Sequence, residues 1–329
     1  MKAVIWSRYG PPELLRIEEV DRPEPKPDEI LVRVKAANVF AGDCELRRFA
    51  LNALFWLPLR LMIGITRPRP RFRILGQELA GEVVAVGARI SNFKPGDSVF
   101  SPLGMGGAHA EYVSFKPVCA VTKPDNVSFE EAAVVSVGGL NALHFLRLAG
   151  LGPGSPPGRK LLLNGAAGSI GTIALQLARL YGAEVTAVDS GHKLDKLREL
   201  GADRVIDYTR EDFFAEKEAY DVIIDIVGRC HYFPALGSLK PGGMLILGNP
   251  PVRHMALRLW SGLSSRRRVR IALASYARKD LAYLRDLLAG GQLKGVIDQR
   301  FSLEDIVAAH RYVESGRRIG NVVLTLTQG

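Results

Sequence analysis

Short apolar runs separated by proline and glycine characterise the first part of the chain, up to about Val121. Runs of this length and composition predict β-strands, and the Pro and Gly residues between them predict turns. Many short strands at this spacing predict a small, partly open β-barrel. The predicted strand regions are Lys2–Trp6, Leu14–Val20, Ile30–Ala36, Gly81–Gly87, the end of Phe93–Phe100 after a turn at Pro95-Gly96, and His109–Val113.

The periodicity changes from Ser128 onwards. Ser128 and Glu131 have the spacing of a capping box, and the helical pattern that follows is interrupted at Gly138-Gly139 before it resumes over Leu140–Leu148. Apolar runs then alternate with helical stretches, which predicts a parallel sheet with right-handed crossovers. The predicted strands are Leu161–Asn164, Glu184–Val188, Arg204–Tyr208, Val222–Val227, Met244–Gly248 and Val269–Ala274. The tail, Val322–Leu326, has strand character without an assigned place in a sheet.

One stretch of this second part has the pattern of a dinucleotide-binding unit. A buried strand leads into glycines at three-residue spacing, then into the apolar stripe of a helix, and a second strand ends in Asp189. The glycines allow a tight turn and close backbone approach, the helix start attracts a pyrophosphate, and Asp189 can accept from a ribose hydroxyl. The predicted pyrophosphate-binding residues are Gly165, Ala166, Ala167, Gly168, Ser169, Ile170 and Gly171.

The ends of the other strands supply further cofactor candidates. Nucleotides bind at the carboxyl ends of the strands in such sheets, which indicates Val227 and Gly228 after one strand and Gly248 and Asn249 after another. Asp189 would bond both ribose hydroxyls and repel a 2′-phosphate, which favours NADH. In contrast, the neighbouring residues Ser190, His192 and Lys193 could pair with that phosphate.

Composition narrows the class of protein. The 329 residues exceed the usual size of one domain, and 47% hydrophobic with 24% charged residues is typical of a globular protein. Three scattered cysteines favour a reducing compartment, and the N-terminus lacks the apolar core of a signal peptide, so we expect a cytoplasmic protein. The net charge of +10 includes clusters at Arg67–Arg73 and Arg266–Arg270, but neither has interleaved stacking aromatics, and we expect no nucleic-acid partner.

The segment Phe49–Ile65 is unusually rich in Leu, Phe and Trp. Pro58 and Arg60 interrupt it, and it is too short to span a bilayer, so we predict no transmembrane segment. We expect a helix that covers the barrel or lines an apolar substrate pocket, with Trp56 as a pocket residue. Peripheral membrane contact, with Arg67–Arg73 facing anionic lipid, is the alternative.

Taken in order, the motifs resemble those of the medium-chain dehydrogenase/reductase superfamily, specifically its zinc-free quinone oxidoreductase-like branch. The resemblance implies an α/β fold with a GroES-like partly open β-barrel domain, formed by residues 1–124 and 275–329, and a Rossmann domain with a doubly wound parallel sheet, formed by residues 125–274. It also implies a homodimer. The motifs that carry it are Gly76–Gly87, Phe93–Asp97, Gly107–Val113, Asn164–Gly171, Leu200–Tyr208, Asp221–Gly228 and Ile319–Val323.

The same resemblance implies an activity. Members of this branch use NADPH or NADH to reduce quinones or α,β-unsaturated carbonyls, mostly with a preference for NADPH. The resemblance adds Asn141, in the segment that approaches the nicotinamide ribose, and Asn321, in the closing motif, as cofactor candidates. The apolar segment suggests a small hydrophobic carbonyl or quinone as the substrate.

Two positions depart from the zinc-dependent relatives. Phe40, three residues before Asp43, stands where those relatives have a Cys ligand, and Gln77 stands where they have a His ligand. Phenylalanine cannot coordinate a metal, and an amide is a poor replacement for imidazole, so we expect no zinc. Phe40, Asp43 and Gln77 are the predicted substrate-pocket residues of this loop region.

The sequence does not identify the group that donates the proton. The cofactor supplies the hydride, while a side chain or water supplies the proton. Asp43 and Tyr112 are the candidate acids, although structural hydrogen bonds or packing are the more common role for residues in such positions. The alternative functions are an enoyl reductase or alcohol dehydrogenase of a biosynthetic pathway, and a nucleotide-binding regulatory protein with little turnover.

Overall fold

The computed structural model describes residues 1–51, 53–228, 230–250, 253–254, 257, 268–271 and 274–326. Part of the Arg266–Arg270 cluster and part of the predicted strand Val269–Ala274 therefore lie outside the described residues. The chain divides into two compact units. The first comprises Met1–Leu51, Phe55–Val137 and Tyr276–Gly329, and the second comprises Asn52–Leu54 and Gly138–Ser275.

The first unit is built on a seven-stranded sheet with the order β14-β15-β3-β4-β5-β7, in which β6 also pairs with β3. All pairs are antiparallel except β14 with β15, and β1 with β2 forms a separate antiparallel pair. Its core contains Trp6, Ile30, Leu75 and Leu79, all fully buried. The strands are β1 (Lys2–Trp6), β2 (Leu15–Glu19), β3 (Ile30–Asn38), β4 (Glu78–Val86), β5 (Ser98–Pro102), β6 (Tyr112–Phe115), β7 (Val121–Thr122), β14 (Ile297–Ser302) and β15 (Asn321–Thr325).

The second unit contains a six-stranded parallel sheet with the order β10-β9-β8-β11-β12-β13. In chain order this is the 3-2-1-4-5-6 arrangement of the doubly wound dinucleotide-binding fold, and the strand order reverses between β8 and β11. The predicted α/β class and both sheet types are confirmed. The strands are β8 (Lys160–Asn164), β9 (Glu184–Asp189), β10 (Arg204–Asp207), β11 (Tyr220–Asp225), β12 (Leu239–Leu247) and β13 (Arg268–Ile271).

The helices follow the predicted pattern with three additions among the described residues, α1, α7 and α9, which the sequence did not reveal. The Ser128–Glu131 capping box is confirmed: Ser128 Oγ accepts from the Glu131 N–H at 3.1 Å, and Glu131 Oε2 accepts from the Ser128 N–H at 3.1 Å. No described helix combines the length and apolar character needed to cross a membrane. The helices are α1 (Ala41–Arg48), α2 (Ala53–Ile63), α3 (Phe129–Ala133), α4 (Ser136–Leu148), α5 (Ser169–Leu180), α6 (Leu194–Glu199), α7 (Tyr232–Ser238), α8 (Arg278–Ala289) and α9 (Ile306–Glu314).

Two sequence-based expectations about these elements were wrong. The predicted break at Gly138-Gly139 is absent, because α4 runs through it, and a Cβ on Gly138 would lie 2.8 Å from the Ser169 carbonyl oxygen. That glycine therefore permits close packing rather than ending the helix. The predicted strand from His109 begins only at Tyr112, because the preceding residues bond β1 instead, with the Val4 N–H donating to the His109 carbonyl at 2.9 Å.

The strand predicted at Val322–Leu326 pairs with strands that are distant or separate in the sequence. β15 pairs antiparallel with β3 and parallel with β14, so the chain's end completes the sheet that its beginning starts. Helix α3 contacts β3, β4 and β5 and belongs to the first unit, although it lies beyond the predicted domain boundary at residue 124.

Candidate active site

The glycine turn after β8 uses its three glycines differently. Gly165 has a φ of +84°, and a Cβ there would lie 2.5 Å from Val227 Cγ2. A Cβ on Gly171 would overlap the Gly165 carbonyl oxygen. Gly168 has a φ of −80°, and its Cβ would meet nothing closer than 3.5 Å. Packing and backbone geometry thus require glycine at 165 and 171, but not at 168.

Helix α5 begins directly at this turn, with Gly168 as its N-cap. Gly168 has no side chain with which to cap this helix start, unlike a Ser, Thr or Asp at the N-cap position. First-turn N–H groups and the positive end of the helix dipole together favour an anion such as a pyrophosphate. Ser169 and Ile170, the first residues of the helix, lie at this end.

Asp189, at the end of β9, is held by three donors. Its Oδ2 accepts from the Ala167 N–H at 3.0 Å, and its Oδ1 accepts from the Ser190 N–H at 2.9 Å. Lys193 Nζ lies 2.9 Å from the same Oδ1. The carboxylate therefore ties the glycine turn to the following turn, and a cation compensates its charge.

Asp225, at the end of β11, is a residue that the sequence analysis did not single out as part of the site. It is fully buried; its Oδ1 accepts from Asn164 Nδ2 at 2.9 Å and from the Gly228 N–H at 3.1 Å, and its Oδ2 accepts from the Cys230 N–H at 3.1 Å. It links the ends of β8 and β11, the two strands at which the sheet order reverses. An acid that ends a buried strand next to a glycine turn is the signal that could have identified it.

The remaining predicted residues of the second unit lie near the same edge. Gly228 has a φ of +74°, and a Cβ there would overlap the Asn249 carbonyl oxygen, so the loops after β11 and β12 pack closely. A Cβ on Gly248 would lie 3.2 Å from the Phe145 ring of α4, the helix that also contains Asn141. The structure thus brings together the carboxyl ends of four adjacent strands, β9, β8, β11 and β12.

In the first unit, Asp43 joins the two predicted pocket positions. Its Oδ2 accepts from the Phe40 N–H at 2.9 Å, and its Oδ1 accepts from the Gly76 N–H at 3.1 Å. The Gln77 side chain also hydrogen bonds to it, and burial raises the pKa of the Asp43 carboxyl to about 7. A Cβ on Gly42 would lie 2.7 Å from Gln77 Nε2, so the start of α1 packs directly on this glutamine.

Glu78 is a second buried carboxyl beside this cluster. Its Oε1 accepts from Asn38 Nδ2 at 2.7 Å, and its Oε2 accepts from Ser136 Oγ and the Val137 N–H, each at 2.7 Å. Burial raises the pKa of the Glu78 carboxyl to about 7.

Asn321, a predicted cofactor residue, belongs to the same buried network. Its Oδ1 accepts from Asn38 Nδ2 at 2.9 Å, and its Nδ2 donates to the Val296 carbonyl at 3.0 Å. The residue is fully buried, and its amide connects β15 to β3. These contacts give Asn321 a structural role within the first unit.

Tyr112 and Trp56 lie on other elements. Tyr112 is on β6, opposite Arg33 of β3, and the Arg22 guanidinium carbon lies 4.1 Å from its ring centroid. Trp56 is on α2, with its ring centroid 5.9 Å from that of Phe49. Neither side chain is among the partners of the Asp43 carboxylate.

The residues at the expected metal position do not fit a zinc ion. Phe40 has no donor atom, and the Gln77 amide is held against Asp43 and Gly42. Within the described ranges, no group of three or more His, Cys, Asp or Glu side chains is arranged to hold a metal.

Known proteins share both units. Residues 26–125 match the model of the alcohol dehydrogenase GroES-like domain, and residues 200–324 match that of zinc-binding dehydrogenases. A chloroplastic quinone oxidoreductase of Triphysaria versicolor is 32% identical over 98% of this chain and 98% of its own. The 2-methylene-furan-3-one reductase of Solanum lycopersicum is 31% identical over 98% of this chain and 79% of its own.

A solved structure extends this similarity to the whole fold. The quinone oxidoreductase of Coxiella burnetii superposes with a TM-score of 0.87 at 28% identity and covers 99% of both chains. Sequence identity above 30% with full-length relatives, together with the two domain matches, establishes the family. The chain belongs to the quinone oxidoreductase-like branch of the medium-chain dehydrogenase/reductase superfamily.

Proposed function

We propose that this protein is a zinc-independent, NAD(P)H-dependent oxidoreductase that reduces a quinone or an α,β-unsaturated carbonyl. The observation that carries this proposal is the pairing of Phe40 and Gln77 around Asp43, at the positions where zinc-dependent relatives have metal ligands. Relatives named as a quinone oxidoreductase and as a 2-methylene-furan-3-one reductase support the substrate class.

The second unit would bind the coenzyme. The turn from Gly165 to Gly171 would hold the pyrophosphate, because the start of α5 carries the positive end of the helix dipole and Gly168 adds no side chain there. The loops around Val227-Gly228 and Gly248-Asn249, with Asn141 on α4, would line the remainder. The bound coenzyme supplies the hydride, and the chain's task is to orient it.

We infer that the protein accepts NADPH as well as NADH. An isolated Asp189 carboxylate would repel a 2′-phosphate, but Lys193 lies 2.9 Å from it and compensates that charge. Lys193 and Ser190 also offer donors to a phosphate at this position.

The first unit would bind the substrate next to Phe40 and Gln77. Asp43 and Glu78 are fully enclosed and held by three donors each, so we assign them positioning roles rather than direct contact with the substrate. Asp43 fixes the loop of Phe40 against the segment of Gln77. With these carboxyls enclosed, water is the proposed source of the proton.

Steady-state oxidation of NADH and NADPH with a panel of quinones and enones tests this function. Turnover of at least one acceptor, without added metal, is the expected result. Tight coenzyme binding without any turnover would favour the regulatory alternative. Zinc-dependent oxidation of alcohols would contradict the proposed chemistry.

Assembly and location are further parts of the proposal. Among the described strands, β13 lies at one edge of the six-stranded sheet, and an edge strand can pair with a second copy through its backbone groups. We propose a homodimer formed through this edge, which light scattering of the purified protein would test. The three cysteines are free and buried, which suits the reducing conditions of the cytoplasm.

A further inference from the structure

Helix α2 presents apolar side chains to solvent. Leu57, Leu61 and Ile65 are 58%, 53% and 65% exposed, and Met62 is also exposed. At 100° per residue, positions 57, 58, 61 and 62 fall on one side of the helix, and position 65 follows its end. We call these residues the apolar face: Leu57, Pro58, Leu61, Met62 and Ile65.

The only charged residue of this helix points the other way. The Arg60 guanidinium carbon lies 3.8 Å from the ring centroid of Tyr9, 4.4 Å from that of Phe49 and 5.5 Å from that of Trp56. Ile63, on the same side, is fully buried. A helix on the surface of a water-soluble domain normally turns its polar side outward, so this arrangement is reversed. The reversal indicates that the apolar face has an apolar partner of its own.

The charge next to this face identifies the partner. Residues 46–77 contain seven arginines and no aspartate, glutamate or lysine. Arg67, Arg69 and Arg71 are exposed, and none has an ion-pair partner among the described residues. We call these three the arginine strip.

The strip is held beside the apolar face by hydrogen bonds. The Arg69 side chain donates to the Leu61 carbonyl at 3.0 Å, and the Arg69 N–H donates to the Ile63 carbonyl at 2.7 Å. Exposed apolar residues bordered by unpaired cations are the pattern of a surface that lies in the interface of an anionic membrane.

We propose that the apolar face and the arginine strip dock this protein peripherally on an anionic lipid bilayer. Leu57, Leu61 and Ile65 enter the boundary between headgroups and acyl chains, and the arginines pair with lipid phosphates. A second copy of the chain is a poorer partner, because a two-fold interface through the apolar face would bring two arginine strips into one contact region, and residues 46–77 contain no acidic side chain to compensate them. The proposal is independent of the catalytic function, since it uses none of the site residues in either unit.

Cosedimentation of the full chain with lipid vesicles tests the proposal. We expect binding to phosphatidylcholine vesicles with about 30% phosphatidylglycerol, at least about tenfold weaker binding to phosphatidylcholine alone, and weakening by salt. The triple variant Arg67→Gln, Arg69→Gln, Arg71→Gln and the double variant Leu57→Ser, Leu61→Ser should each lose at least about tenfold in affinity. Circular dichroism and thermal unfolding verify that both variants fold.

A matched triple variant separates the strip from the protein's overall charge. Arg89→Gln, Lys94→Gln and Lys279→Gln remove the same charge from exposed positions elsewhere, and this variant should bind vesicles like the wild type. Equal losses in the two triple variants, or no vesicle binding at all, would overturn the proposal. So would a concentration-dependent dimer that the Leu57→Ser, Leu61→Ser variant abolishes without any vesicle binding.

Tryptophan fluorescence tests insertion directly. The chain has three tryptophans, Trp6, Trp56 and Trp260, and Trp6 is fully buried. In a Trp56→Phe, Trp260→Phe background, the substitution Leu61→Trp puts the probe in the apolar face. Vesicle binding should shift its emission to shorter wavelength, and brominated lipid should quench it. Vesicle binding without shift or quenching would contradict insertion of this helix.

Discussion

Lys193 and Asp189 form an ion pair at the end of β9, with Nζ 2.9 Å from Oδ1 and side chains only 10% and 9% exposed. An acid at this position is the usual acceptor for a ribose hydroxyl and discriminates against a 2′-phosphate. Here Lys193, four residues after Asp189, compensates the charge of this acid. The coenzyme preference therefore depends on the pair rather than on Asp189 alone.

Single substitutions in this pair should shift the coenzyme preference in opposite directions. Asp189→Ser leaves an unpaired cation, so the ratio of NADH to NADPH dissociation constants should rise about tenfold. Lys193→Met leaves an unpaired carboxylate, so the same ratio should fall by a similar factor. Fluorescence titration with both coenzymes measures the ratio.

Lys196→Met is the matched control, because Lys196 forms a surface pair with Glu199 in the following helix. It should leave the ratio unchanged. If Asp189→Ser weakens the binding of both coenzymes equally, the carboxylate has only a structural role, through its bonds to the Ala167 and Ser190 N–H groups and Lys193.

The glycine turn offers a substitution that separates binding from folding. Gly168→Ala should fold with unchanged thermal stability, since its Cβ meets nothing closer than 3.5 Å, yet bind NADPH at least about tenfold more weakly. Gly171→Ala should lower the free energy of unfolding by about 2 to 3 kcal/mol, because its Cβ would overlap the Gly165 carbonyl. Calorimetry measures both quantities.

Gly152→Ala is the control for this pair, because a Cβ there meets nothing within 4 Å. It should change neither stability nor coenzyme affinity. Wild-type affinity in Gly168→Ala would place the pyrophosphate elsewhere.

The buried carboxyl of Asp43 should make stability depend on pH. Burial raises its pKa from 3.8 to about 7, so between these values the folded chain holds a proton that the unfolded chain has released. The contribution of Asp43 to the free energy of unfolding is therefore largest at low pH and declines as the pH rises through the folded pKa. The full decline is on the order of 4 kcal/mol.

Asp43→Asn removes this titration. Denaturant unfolding between about pH 4 and pH 8 should show the wild type losing stability relative to the variant as the pH rises. Asp195→Asn, at a 94% exposed side chain, should follow the wild-type profile. Parallel wild-type and Asp43→Asn curves would contradict the raised pKa.

Treatment with a chelator tests whether the site at Phe40 and Gln77 works without a metal ion. Exhaustive dialysis against a strong chelator should leave the rate of quinone or enone reduction unchanged, because neither side chain is a competent zinc ligand. Metal analysis should find zinc far below one ion per chain. Loss of activity that zinc restores would refute this expectation.

Sequence reasoning was most successful where the physical determinants are close together in the chain. The strand, the glycine turn, helix α5 and the strand ending in Asp189 lie between residues 160 and 189, so spacing alone identifies the unit. The replacement of zinc ligands by Phe40 and Gln77 is also visible in the residue types. Hydrophobic periodicity likewise predicted α2 but could not tell which side of it faces solvent.

Contacts between residues that are far apart in the sequence could not be predicted from local spacing. Asn321, a cofactor candidate from its motif, also bonds to Asn38, 283 positions away. Asp225 joins Asn164 across 61 positions, and Arg60 turns inward because Tyr9 and Phe49 surround it. The local sequence pattern specifies which helices and strands form. The role of a side chain depends on the residues that it contacts after folding, and these residues have no fixed spacing in the sequence from which they could be predicted.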